Sequence, residues 1–154
     1  MKSMTHFIFF FVYTLTVGCS ANQTNTMVKR FVDDIIVSGD VGKIEEYLDL
    51  GTEVKSNPDY LIFFKEYFKE IRGLLDKGCD FDYDLLTFEE AKKSDVKSIE
   101  QYEKYYSHYE QVFFIICNDQ ITLPLIVEND KIISFQSKML KKYGGDYSPF
   151  LLNK

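Results

Sequence analysis

Asp80, Asp82 and Asp84 set three carboxylates at alternate positions, the spacing that opens a twelve-residue calcium-binding loop. Such a loop needs Gly at its sixth position and a bidentate Glu at its twelfth, where this chain has Leu85 and Ala91. The alternation with Phe81, Tyr83 and Leu85 predicts instead a β-strand whose acidic side faces water and discourages edge-to-edge pairing. His108 stands among Tyr102, Tyr105, Tyr106 and Tyr109, and is the side chain placed to act as a general base near neutral pH. No nucleophile–base pair, glycine-rich phosphate loop or metal-ligand spacing accompanies it, so catalysis is not the expected activity. The same five residues, exposed, would form a protein-contact patch, because tyrosine is enriched at interface hot spots. Cys79 and Cys117 can form a disulfide in an oxidising compartment or remain two separate buried thiols, and both readings stand. With no CxxC pair and no His–Cys cluster, neither a metal nor another cofactor is expected.

The start of the chain gives its address. Lys2 precedes an apolar run of eleven residues, Phe7 to Val17, followed by Gly18 and Cys19. A basic residue, a short apolar core and a small residue before a cut form the pattern of a secretory signal. The run is well short of the ~20 apolar residues that span a bilayer. Leu15-Thr16-Val17-Gly18-Cys19 resembles the lipobox of bacterial lipoproteins, with Thr16 where Leu is usual. That resemblance implies removal of residues 1–18 as a signal peptide, lipidation of Cys19 and, with Ser20 following, sorting to the periplasmic face of the outer membrane. Each buried methylene contributes about 0.8 kcal/mol, so several acyl chains make a durable anchor. Ordinary cleavage would release a free periplasmic protein instead. Ser20 to Thr26 is polar and featureless, so residues 19–26 read as lipidated cysteine and tether, and residues 27–154 as one domain.

The chain carries 18 basic and 24 acidic residues, a net charge of −6. Losing Lys2 with the leader removes one basic residue and takes the charge to −7. An acidic surface disfavours nucleic acid and anionic lipid headgroups as partners of the domain itself and suits a basic protein partner, although solubility accounts for the same balance.

Periodicity predicts the elements that position these residues. Val28, Phe31, Val32, Ile35 and Ile36 recur at helical spacing between residues 26 and 37, and Ser38-Gly39 ends that helix. Asp40 caps a second helix reaching Leu50, with Gly51 in the left-handed position behind it. Asn57-Pro58-Asp59 opens a third, as cap, first-turn proline and first-turn acid. Its body carries two apolar stripes, Leu61, Phe64, Phe68, Ile71 and Leu75 beside Tyr60, Phe63, Tyr67 and Leu74, and Gly78 stops it. After the strand over Asp80–Leu85, apolar runs over residues 109–117, 120–128 and 131–136 are separated by Asn118-Asp119 and Asn129-Asp130, which suit two-residue hairpin turns. Pro124 requires a bulge or a sheet edge in the middle run. Residues 89–106 fit either a helix or a hairpin arm.

The expected fold is α+β, three N-terminal helices packed on one face of a curved antiparallel sheet of about four strands. The run Ser38-Gly39-Asp40-Val41-Gly42-Lys43-Ile44 and this element order resemble the cystatin-like roll of the nuclear transport factor 2 superfamily. The resemblance implies a cone between helix and sheet, lined here by Phe64, Phe68, Phe113 and Ile115. That cone would be a ligand pocket or a filled core, and aromatic bulk favours filling. The superfamily includes isomerases, dehydratases, adaptors, toxin-immunity proteins and binding-only lipoproteins, so the fold narrows function little. The expected function is a non-enzymatic, membrane-anchored module that binds a protein in the cell envelope, in its specific form an immunity protein against a periplasmic toxin. A small-molecule carrier using the cone, or an isomerase- or dehydratase-like enzyme, is the alternative.

Overall fold

The computed structural model describes residues 23–135 and 149–153; the leader, Cys19 and Gln136 lie outside them. Helix α1 runs over residues 23–37. It is α-helical to residue 31 and widens into a π-helical turn over Val32–Val37. Ser38 N–H donates to Asp33 O at 3.0 Å and Asp40 N–H to Asp34 O at 3.1 Å, and Gly39 then turns the chain with φ +76°. Helix α2 is a 3₁₀ turn, Val41–Lys43, continuing as Ile44–Tyr47. Lys131 Nζ donates to the carbonyls of Glu45 (3.0 Å) and Glu46 (2.6 Å), satisfying acceptors that the helix end leaves open.

The second helix therefore stops before Leu48, which is extended and bridges Ile132. Gly51 is not left-handed either. Its φ is −60°, and it precedes a short helix, α3 (Thr52–Ser56), too brief to show a period in sequence. Gly51 is needed for close approach: its N–H donates to Leu152 O at 2.8 Å, and a Cβ there would lie 3.1 Å from that same oxygen.

Helix α4 (Tyr60–Cys79) is the longest element. Asn57 Oδ1 accepts from Asp59 N–H at 2.9 Å in the turn before the helix. The N-cap residue is Asp59, without a side-chain cap bond, so the expected Asn57 cap, first-position Pro58 and first-turn Asp59 all lie ahead of the helix. Phe64, Tyr67, Phe68, Ile71 and Leu75 are buried, whereas Leu61 and Leu74, at the two flanks of that stripe, are 37% and 46% exposed. The helix continues past Gly78 to Cys79, and Asp80 (φ +50°) supplies the left-handed residue behind it. Phe81 is left-handed as well, so the acidic alternation begins as a turn, and strand β1 covers only Asp84–Thr87. A disulfide joins Cys79 at the helix end to Cys117, with Cα atoms 5.5 Å apart, and the Asn118 side chain donates to Gly78 O beside it.

Residues 88–106 form two short helices, α5 (Phe88–Lys93) and α6 (Glu100–Tyr106). Thr87 and Glu90 make a reciprocal capping box at the start of α5. Strands β2 (Val112–Cys117), β3 (Gln120–Glu128), β4 (Lys131–Phe135) and β5 (Phe150–Leu151) follow. The antiparallel sheet has the order β1-β2-β3-β4-β5. Both hairpin turns use left-handed pairs: Asn118 and Asp119 at φ +49° and +60°, Asn129 and Asp130 at +50° and +57°. Pro124 sits in the central strand, two residues from a bulge: Ile115 faces Leu123 while Ile116 faces Ile121, which leaves Thr122 extra.

The α+β class holds, but helices cover both faces of the sheet. Phe113, Ile115, Leu125 and Phe135 face α1 and α4, while Val112, Phe114, Ile116 and Ile126 face Ala91, Ile99, Tyr102 and Tyr106 of the α5–α6 layer. The sequence expectation of one covered face fails because α5 and α6 lie in the charged stretch whose period was ambiguous.

Candidate protein-contact surface

The expected tyrosine patch divides. Tyr102 and Tyr106 are not surface residues: they are 4% and 0% exposed, and their rings stand 5.4 and 6.2 Å from Phe114. A short helix over a flat apolar strand needs large side chains to fill the gap, and tyrosine supplies that bulk. Tyr105 and Tyr109 are half-buried and His108 is exposed. The cone residues are core. Phe64 and Phe68 stack at 6.0 Å, Phe68 meets Phe31 at 5.4 Å and Tyr67 meets Phe135 at 4.8 Å, so aromatic rings occupy the space between helix and sheet. Ile115 is fully buried, and Phe113, 4% exposed, reaches the base of an outer groove.

Of the expected patch, Tyr105, His108 and Tyr109 remain accessible. After α6 the chain turns through Ser107–Gln111, fixed by Tyr109 N–H donating to Tyr106 O (3.1 Å) and Val127 N–H to Gln111 O (2.9 Å). The left-handed Asn129-Asp130 turn brings Glu128 and Asp130 opposite this segment. A groove of about 580 Å³ lies between them, walled by His108, Tyr109, Glu110, Glu128 and Asp130. A second, of about 490 Å³, shares Tyr109 and Glu110 and adds Glu89, Glu90, Phe88 and Thr24. A third, of about 510 Å³, shares Asp130 and is walled also by Gln23, Arg30, Glu46 and Tyr47. The first two contain no lysine or arginine among the described residues.

His108 lies beside Tyr109 at the surface. Its ring lies 4.2 Å from that of Tyr109, and no hydrogen bond or ion pair joins it to a carboxylate among the described residues. Asp80, Asp82 and Asp84 are exposed, and no three His, Cys, Asp or Glu side chains converge on a metal position among the described residues.

No protein-family model, curated protein or solved structure matches the chain.

Two polar pairs escape sequence reasoning. Tyr47 OH donates to Asp34 Oδ2 at 2.5 Å, and burial, then this bond to a carboxylate, pushes the Tyr47 pKa up to about 12. Tyr60 OH donates to Glu45 Oε1 at 2.8 Å, which with Lys55 at 3.0 Å holds the Glu45 carboxyl below its ordinary range. Their partners lie 13 and 15 residues apart, beyond any local pattern.

Proposed function

We propose that the chain is a non-catalytic binding module, held at a cell-envelope membrane through lipidated Cys19, that takes a basic protein partner on the acid-walled grooves around Tyr109. Glu110 carries this reading. It stands in the wall of two adjoining grooves whose other carboxylates are Glu128 and Asp130 on one side and Glu89 and Glu90 on the other. Opposed charges steer encounter and select partners more than they add raw affinity. The half-buried Tyr109 between them offers an apolar body and a ring face to a guanidinium. The aromatic filling of the interior supports engagement at the surface over enclosure of a ligand. In its specific form the partner is a toxin delivered into the periplasm, and binding neutralises it.

The test is affinity capture from envelope extracts on the immobilised full chain. A basic protein retained in stoichiometric amount, released by raised salt and lost with Glu110→Lys/Glu128→Lys/Asp130→Lys, is the expected result. Recovery of no stoichiometric protein, or equal retention by the charge-reversed variant, overturns the reading.

A further inference from the structure

The large apolar side chains exposed among the described residues are Leu61, Ile62 and Leu74, and all three belong to α4. Leu61 and Ile62, 37% and 62% exposed, begin a stripe that continues at helical spacing through Lys65, Lys69 and Arg72. Leu74 lies on the other flank. Lys65 and Arg72 make no ion pair among the described residues. Lys69 meets Glu66 at 3.6 Å, with both side chains more than half in solvent, so the pair is weak. Asp76 ends the stripe one turn on. A chain of net charge −6 thus gathers three cations beside two exposed aliphatic side chains on a single helix.

We propose that this side of α4 docks on an anionic lipid surface, with Leu61 and Ile62 entering the headgroup boundary and Lys65, Lys69 and Arg72 among the phosphates. Charge selects the occupant: a row of cations repels a second copy of itself and attracts a surface of phosphates. The stripe is independent of the anchored-module reading and of the acidic grooves.

The experiment is vesicle flotation of residues 19–154 carrying Cys19→Ser, which lack the apolar leader and bear no acyl group. Vesicles of phosphatidylcholine alone are compared with vesicles containing phosphatidylglycerol. The expected result is a preference for phosphatidylglycerol that weakens with salt and falls roughly tenfold or more in Lys65→Glu/Lys69→Glu/Arg72→Glu. It should persist in Lys93→Glu/Lys97→Glu/Lys104→Glu, an equal charge change on the opposite layer. Ile62→Asp alters no cation and should weaken flotation too; unchanged flotation in that variant overturns the insertion. Equal affinity for both vesicles, or equal loss in both triple variants, overturns the docking face. Protein capture by the acidic grooves is unaffected in either case, so the two readings fail separately.

Discussion

Single side chains near α1 and α2 carry much of the polar structure there. Tyr47 is 7% exposed, its ring meets Phe31 at 5.9 Å, and its hydroxyl reaches Asp34 in the π-helical turn. Since its pKa is raised to about 12 in the folded chain, the neutral phenol contributes stability that is fully present below the unfolded value near 10. That contribution is lost as pH rises through 12. Tyr47→Phe should therefore cost about 1.5 kcal/mol at neutral pH, the worth of a hydrogen bond to a charged group, and flatten the alkaline fall in stability. Urea melts of both proteins between neutral pH and pH about 11 measure this. An undiminished alkaline fall in the variant would place the titration elsewhere. The contrast with Tyr102 and Tyr106 shows why tyrosines were hard to assign from sequence: one side chain fits a core, a partly buried polar pair or a surface equally well.

At the scale of elements, legibility followed local chemistry. Strand β3 (Gln120–Glu128) falls where its flanking Asn-Asp pairs put it, because those turns need positive φ and both residues tolerate it. Helix α4 starts at Tyr60, and Asn57-Pro58-Asp59 forms the turn ahead of it rather than its cap and first turn. Its end is not legible locally, because Gly78 lies within the last turn and Asp80 takes the left-handed position, beside the disulfide and Asn118 of a distant hairpin turn. Gly51 misled for a similar reason, since nothing near it in sequence reports Leu152. Gly51→Ala should destabilise by about 1–2 kcal/mol through the contact with the Leu152 carbonyl, a small-to-large change in a packed place. Faster amide exchange at Leu152, whose N–H donates to Ile133 O, should accompany it. Retained protection there would show that the C-terminal segment yields without cost.

The whole molecule is a sheet between two apolar layers, the larger under α1 and α4 and the smaller under α5 and α6. The run Val112–Cys117, six buried residues without alternation, is the sequence trace of that arrangement. The alternation of Asp80–Leu85, most of which is not strand, points the other way. The Cys79–Cys117 bond ties the larger layer to the sheet across 38 residues of chain. Reduction should lower unfolding stability by about 4 kcal/mol in the loop-entropy model, read as a shift in denaturant midpoint with and without dithiothreitol. A shift under a quarter of that would mean the two ends stay together unaided. Covering both faces has a consequence for how the strands find their partners. Where one face is wet, slippage by a residue exposes every apolar group and is rejected at once. In β2 the same slippage would exchange Phe113 for Phe114 and Ile115 for Ile116, greasy for greasy. Correct alignment must then be enforced by backbone hinges and the sulfur cross-link, so replacing the left-handed asparagines threatens misthreading more than it threatens the energy of the finished fold.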